Sequence, residues 1–167
     1  DTLADQRVEA TVSFTSPGVA HVLCRLDPVG GSTFYVATIA SGGYYMLEKV
    51  VKGALQDEWV SNPAEFKEQF DDNVRATDAT LTPAFAPGTD DLHDVALECV
   101  GGEGGTTVTL VDGGDEVLRF EDSDRPILTG LGGLGATDSG FQVARDGFET
   151  YGVVAADFVL TDLATGN

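Results

Sequence analysis

Histidine is the residue that most directly signals catalytic or metal chemistry, and this chain has two, His21 and His93. A serine or cysteine nucleophile needs a histidine base, but neither histidine belongs to a recognisable motif, and zinc-ligand spacing is missing around both. His21 lies in an alternating, strand-like run, and His93 lies in an acidic loop. We therefore expect two surface or partly buried histidines without a catalytic or zinc-binding role.

Acidic residues are abundant, with 28 Asp and Glu against 9 Lys and Arg. Calcium needs about six to eight oxygen ligands, often from closely spaced Asp residues, and no cluster here matches the EF-hand pattern. Acidic loops are usually only solvated, so solubility is the main interpretation and cation binding is the alternative. A glycosidase needs two carboxylates that face each other across a cleft, and the sequence singles out no such pair. The clusters are Asp71-Asp72, Asp90-Asp91 with Asp94, Asp112 with Asp115-Glu116, and Glu121-Asp122 with Asp124.

The segment Gly130–Gly135 fits the pattern G-x-G-x-x-G literally. A dinucleotide-binding fingerprint also needs a strand before it, a helix after it and a βαβ frame. The residues that follow, ATDSGFQVARDG, contain more turn signals than helix signals. Glycines that allow tight backbone packing in a β-sandwich explain the segment better.

Three aromatic residues, Tyr44, Tyr45 and Trp59, are candidates for ligand binding. Such side chains stack on sugar rings or anchor a protein partner. Adjacent residues of a strand point to opposite faces, so at most one of the two tyrosines can belong to a given platform. The alternative is that Trp59 and one tyrosine fill the core.

These residues must be positioned by strands, because period-two alternation dominates the sequence. Turn signals at regular spacing separate the short strands, which is typical of a sandwich or barrel. At most one short helix is expected, near 63–72, where Pro63 suits a first turn and Phe66 and Phe70 share a face. A loop is the alternative for this segment. The expected strands cover 6–14, 20–26, 33–40, 44–51, 95–100, 106–111, 116–121, 131–136 and 151–163.

Length and composition predict one folded domain, since the chain has 167 residues of which 42% are hydrophobic. The net charge of −19 argues against nucleic acid, which needs a basic footprint, and against anionic membrane surfaces. No apolar run is long enough to span a bilayer. The N-terminal DTLADQRVEA does not have the pattern of a signal peptide, so we expect a mature form whose leader has been removed.

The two cysteines, Cys24 and Cys99, both lie in alternating apolar runs. A buried pair of free thiols in a cytosolic protein and a disulfide in a secreted protein both fit this placement. The secreted character of the rest of the chain favours the disulfide. The chain-entropy model gives the bridge about 4 kcal/mol for a span of this length.

The order and spacing of several short motifs over residues 5–162 resemble a concanavalin A-like, laminin-G-like jelly roll. The type is found in extracellular domains of actinobacterial lipoproteins and in receptor ectodomains. The motifs are Cys24-Arg25, Phe34-Tyr35-Val36, Gly43-Tyr44-Tyr45, Trp59, Leu97-Glu98-Cys99-Val100-Gly101, Val108-Thr109-Leu110, Gly132–Gly135 and Asp157-Phe158-Val159-Leu160.

The resemblance implies two further expectations. Jelly rolls of this type sometimes hold a structural calcium ion, and Asp157 in the last strand is the implied ligand. Relatives generally carry more sequence before the strand Val8–Phe14, so an N-terminal strand is removed here or the sheet edge is completed differently. An unpaired edge is a template for another chain, which makes self-assembly a hypothesis.

We therefore expect an all-β jelly-roll sandwich formed as a single domain by residues 1–167. The predicted function is a secreted or cell-surface, non-catalytic module that recognises a glycan or a protein partner. One alternative is a structural subunit that assembles through a sheet edge. The other is a glycoside-active enzyme, which the missing E-x-D-x-E strand pattern of retaining jelly-roll glucanases disfavours.

Overall fold

The structure, a computed structural model, contains only β-strands as regular secondary structure in the part of the chain that it describes. It describes residues 3–15, 18–41, 44–60, 74–76, 92–102, 104–136, 148–150 and 153–166, with the backbone alone at 44, 55–60, 74–76 and 148–150. The strands are β1 (Gln6–Phe14), β2 (Val19–Leu26), β3 (Phe34–Ala40), β4 (Tyr44–Val51), β5 (Ala54–Val60), β6 (Val74–Ala76), β7 (His93–Gly102), β8 (Gly105–Asp112), β9 (Asp115–Asp122), β10 (Leu131–Ala136), β11 (Phe148–Thr150) and β12 (Val153–Asp162).

The strands form two six-stranded sheets that make a jelly-roll β-sandwich. The first sheet has the order β11-β12-β1-β7-β8-β9, and the second has the order β10-β2-β3-β4-β5-β6. Neighbouring strands are antiparallel, except that β5 and β6 pair in parallel. This confirms the all-β sandwich predicted from the alternation, while the helix expected near 63–72 lies outside the described residues. Within the described ranges, no helix is long and apolar enough to cross a membrane.

The strand β1 shows how alternation builds this fold. Every second side chain is buried, and the intervening side chains are partly exposed on the outer face. The strand pairs with β12 on one side and with β7 on the other, so it lies inside the first sheet. β1 is therefore not an edge strand of this sheet, and the removal of an N-terminal strand stays a prediction. Its inward side chains are Val8, Ala10, Val12 and Phe14.

The core lies between the sheets and is crossed by one disulfide. Cys24 of β2 and Cys99 of β7 are completely buried and bonded, with Cα atoms 6.4 Å apart, within the usual range for disulfides. Because β2 and β7 belong to different sheets, the bond ties the two layers together. It is the pairing that we predict from the sequence.

Two glycines of the G-x-G-x-x-G segment allow close packing between the sheets and within the second sheet. A Cβ atom at Gly130 would lie 2.1 Å from the carbonyl carbon of Arg25, and one at Gly132 would lie 2.7 Å from Val8 Cγ2. Both distances are far below van der Waals contact. These glycines have the packing role that the sequence indicated.

Arg25 interrupts the alternation near the end of β2. Its φ of +53° is uncommon for a residue other than glycine, and its side chain is completely buried. The guanidinium donates hydrogen bonds to the carbonyl oxygens of Ala4, Cys99 and Ile127 and to the hydroxyl of Thr106. One arginine therefore ties the N-terminal segment, both sheets and the segment before β10 to each other.

Candidate functional site

A β-bulge shapes the outer face of the first sheet where β12 runs beside β1. Ala10 of β1 stands opposite two residues of β12, Asp157 and Phe158, where a regular ladder would place one. Asp157 has a φ of +54°, which Asp tolerates better than most residues. The extra residue resets the alternation, so Phe158 packs against the core while Asp157 is exposed.

Beside this bulge lies a groove of about 260 Å³ that crosses three neighbouring strands. β1 provides its floor, and β7 and β12 provide its two sides, because β1 lies between them in the sheet. The groove is on the outer face, so it is reached without disturbing the core. Its lining residues are Glu9, Ala10, Thr11, Asp94, Val95, Asp157 and Val159.

Hydrogen bonds and ion pairs hold several of these side chains in place. Thr11 Oγ1 donates a hydrogen bond to Asp94 Oδ1 at 3.0 Å. Arg7 Nε lies 2.9 Å from Glu9 Oε1, and Arg7 also pairs with Glu98. Burial lowers the pKa of Arg7, but the hydrogen-bonded carboxylates raise it overall. The charge of Glu9 is thereby balanced within the sheet.

The groove combines hydrogen-bond acceptors with an apolar wall. Glu9, Asp94 and Asp157 supply carboxylate oxygens, Thr11 supplies a hydroxyl, and Val159 is half exposed beside them. Carboxylates accept hydrogen bonds from hydroxyl groups, and valine methyl groups pack against apolar C–H surface. This chemistry suits an uncharged ligand with many hydroxyl groups. An anionic ligand would be repelled by the carboxylates.

The groove does not form a metal centre from its described side chains. Among the residues that the structure describes, no group of three or more His, Cys, Asp or Glu side chains is arranged to hold a metal ion. Calcium takes about six to eight oxygen ligands. The calcium site that the resemblance implies at Asp157 therefore stays a prediction without further described ligands.

Tyr45 occupies the core rather than an exposed surface. Its side chain is 4% exposed, and its hydroxyl donates a hydrogen bond to Asp112 Oδ2 at 2.5 Å. Burial and this hydrogen bond raise the pKa of Tyr45 above its usual range. A ring buried this deeply cannot stack on a sugar, which corrects the interpretation of Tyr45 as a ligand-binding residue. Tyr44 and Trp59 lie in β4 and β5, but their side chains are outside the described part.

Asp112 is the centre of a cluster of polar side chains that joins the two sheets. Besides the Tyr45 hydroxyl, its Oδ2 contacts His93 Nδ1 at 2.6 Å. Burial raises the pKa of Asp112, but the hydrogen bonds with His93 and Tyr45 outweigh it and lower the pKa overall. His93 is 5% exposed, so it is a buried structural residue rather than a loop histidine.

A row of three polar side chains, His21, Thr38 and Glu48, crosses the outer face of the second sheet. Thr38 Oγ1 lies 2.9 Å from His21 Nδ1 and 3.4 Å from Glu48 Oε2. His21 and Thr38 are buried, although they point away from the first sheet. Burial lowers the pKa of His21 to about 4, so its ring is neutral at pH 7. Because His21 and Thr38 are buried, this row offers a ligand less access than the open groove does.

Two solved structures share this fold. A carbohydrate-binding module, CBM66 from Bacillus subtilis, superposes with a TM-score of 0.55 at 11% sequence identity, covering 96% of this chain and 76% of that chain. The galectin LEC-6 from Caenorhabditis elegans gives a TM-score of 0.54 at 13% identity, covering 95% and 84%. No protein-family model matches the sequence, and no curated protein matches it. At these identities the likeness establishes the β-sandwich fold.

Proposed function

We propose that this chain is a non-catalytic glycan-binding module and that the groove across β12, β1 and β7 is its binding surface. Two proteins of the same fold are a carbohydrate-binding module and a galectin. The observation that carries the proposal is the open groove beside Asp157, with carboxylate acceptors on β1, β7 and β12 and a valine wall.

The size and polarity of the groove support a particular class of ligand. Its volume of about 260 Å³ is slightly below the roughly 300–1,000 Å³ of pockets that enclose drug-sized ligands. The groove therefore fits a short part of a glycan, one end of which lies against Val159. The hydroxyl groups of a neutral sugar donate to Asp94 and Asp157, and acidic sugars are excluded by charge.

The cellular setting is part of the same proposal. We propose an extracellular or cell-surface location, which the Cys24–Cys99 disulfide supports because such bonds persist in oxidising compartments. We also propose that the sandwich is of the laminin-G-like type, on the sequence motifs that resemble that family.

The experiment is a screen of the purified protein against immobilised neutral and acidic glycans, followed by calorimetric titration with the best ligand. We expect binding to neutral glycans, at least tenfold weaker for Asp157→Asn, which replaces one carboxylate oxygen by an amide donor, and for Thr11→Val, which removes a hydroxyl group. The matched control is Thr107→Val, which makes the same change on β8 outside the groove. Equal affinities for all four proteins would place the ligand elsewhere, and no glycan binding would overturn the proposal.

The alternatives give different results in the same samples. Light scattering that shows large assemblies would favour the structural subunit, although β1 is paired on both sides and cannot be its open edge. Cleavage of a bound glycan would favour the enzyme. Loss of binding with EDTA would support the proposed calcium ion at Asp157, and unchanged binding would contradict it.

A further inference from the structure

A buried lysine and a buried aspartate meet at the boundary between the two sheets. Lys49 is an inward-facing residue of β4, and Asp122 is the last residue of β9. Their side chains are 5% and 3% exposed, and Lys49 Nζ lies 2.6 Å from Asp122 Oδ2. The two residues therefore present an amine and a carboxyl group to each other across the sandwich, shielded from water.

Neighbouring groups fix both reactive ends. Tyr35 donates a hydrogen bond from its hydroxyl to Asp122 Oδ2 at 2.5 Å. The backbone N–H of Asp124 donates to Asp122 Oδ1 at 3.2 Å, and Lys49 Nζ donates to the Asp124 carbonyl oxygen at 2.6 Å. Tyr35 is itself held by the backbone N–H of Ile127 at 2.9 Å. Lys49 Nζ and both carboxylate oxygens of Asp122 are thus each oriented by a further hydrogen-bond partner.

Burial raises the free energy of the ion pair between Lys49 and Asp122. Taking two ions out of water is costly, and their mutual attraction often fails to offset that cost. An amide in the same place is neutral. Holding two reactants in contact also gives an effective concentration of about 10⁵ M or more in well-oriented intramolecular reactions.

We propose that Lys49 and Asp122 condense into an intramolecular isopeptide bond that links β4 to β9. One proton of the Lys49 ammonium group first passes to Asp122 Oδ2, 2.6 Å away, which leaves a neutral amine. Its nitrogen, Nζ, then attacks Cγ of Asp122, the new C–N bond forms, and the bond from Cγ to Oδ2 breaks. Oδ2 leaves as water with two of the three protons of the ammonium group, and the third stays on the amide nitrogen. Oδ1 becomes the amide oxygen and keeps the hydrogen bond from Asp124 N–H. No oxidant, reductant or further reactant is required.

Tyr35 is the catalytic residue of this step, because its hydroxyl contacts the oxygen that leaves. Its hydrogen bond draws electron density from Cγ to Oδ2 and supports the departure of that oxygen. Burial and the hydrogen bond with Asp122 raise the pKa of Tyr35 above its usual range. The hydroxyl therefore stays protonated and remains a donor throughout the physiological pH range.

The bond would be a second covalent link between the layers. The disulfide joins β2 to β7, and the isopeptide bond would join β4 to β9. A reductant opens only the disulfide, so the sandwich would keep one cross-link in reducing conditions.

The test is the intact mass of the folded wild-type protein after several days at neutral pH, measured after denaturation and complete reduction. We expect a mass lower than that of the sequence by one water molecule. Because an Asp-Gly sequence such as Asp112-Gly113 can also lose water by forming a succinimide, protease mapping must locate the loss. The expected product is a branched peptide that contains both Lys49 and Asp122.

Variants separate the proposed reaction from other water losses. Lys49→Arg keeps the positive charge and should have the full sequence mass, and Tyr35→Phe should slow the loss at least tenfold. Asp122→Asn should lose ammonia instead of water, because its leaving group is nitrogen. A wild-type mass equal to the sequence mass, or a loss located away from Lys49 and Asp122, would overturn the proposal whether or not the variants fold.

Discussion

His21 lies on the outer face of the second sheet, and burial lowers its pKa from 6.5 to about 4. The unfolded chain therefore binds a proton near pH 6.5, while the folded protein binds it only near pH 4. Between these values the unfolded state holds more protons, so the free energy of unfolding falls as the pH falls. The stability is present above pH 6.5 and is lost on the way to pH 4.

The magnitude follows from the shift in pKa. A change of one pKa unit corresponds to about 1.4 kcal/mol, so His21 removes about 3 kcal/mol of stability between pH 7.5 and pH 4. A domain with a total stability of about 5–15 kcal/mol loses a large share in this way. The many carboxylates of the chain also titrate in this range, so the contribution of His21 must be isolated by difference.

The assay is urea unfolding followed by circular dichroism at several pH values, for the wild type and for His21→Gln, which cannot titrate. The difference in free energy of unfolding between the two should change by about 1.4 kcal/mol per pH unit below pH 6.5. The control Thr38→Val keeps the histidine and should retain the wild-type slope, because burial lowers the pKa of His21. Parallel pH profiles for wild type and His21→Gln would refute the reasoning.

Three further predictions concern the core. Reducing the Cys24–Cys99 disulfide, or replacing both cysteines with serine, should lower the free energy of unfolding by about 4 kcal/mol, as measured by urea unfolding with and without reductant. Gly132→Ala should cost about 1–3 kcal/mol, because its Cβ would lie 2.7 Å from a core side chain. Gly102→Ala, whose Cβ enters open space, should change the free energy of unfolding by less than about 0.5 kcal/mol, as measured for both variants by urea unfolding. Tyr45→Phe should cost about 2 kcal/mol by removing a hydrogen bond to a buried carboxylate, and a cost below about 0.5 kcal/mol would contradict the role assigned to that hydroxyl.

Local patterns were sufficient to predict most strands. The expected strands 6–14 and 131–136 have the same ends as β1 and β10, because alternation and glycine turns are properties of the local sequence. β7 begins at His93, two residues before the expected strand. The acidic neighbours of His93 indicate a loop, because the residue that holds it in the sandwich, Asp112, is distant in the sequence and leaves no local signal.

The groove could be predicted only in part. Asp157 is a candidate through the family resemblance, and Asp94 belongs to one of the acidic clusters, but the sequence singles out neither Glu9 nor Thr11. These residues come from separate strands, and only the long-range pairing of β1 with β7 and β12 brings them together. The bulge at Asp157 is a shift in register between two strands, so it leaves no signal in the alternation of β1.

The polar contacts inside the sandwich could not be predicted either, because they also join residues that are distant in the sequence. The positive φ of Arg25 and its partners on other segments turn its side chain inward, and no local pattern in β2 indicates this. The pair Lys49 and Asp122 is likewise made by two strands of different sheets. Composition showed that these charges exist, and only the tertiary structure shows which of them meet.

The most direct measurement of the proposed function is nuclear magnetic resonance of the isotope-labelled protein during titration with a neutral glycan. If the groove binds the glycan, backbone amide shifts should change chiefly at residues 9–11, 94–95 and 157–159, and an acidic glycan should cause no comparable change. Shifts centred on His21 and Thr38 of the second sheet, or no shifts with any neutral glycan, would contradict the proposed function.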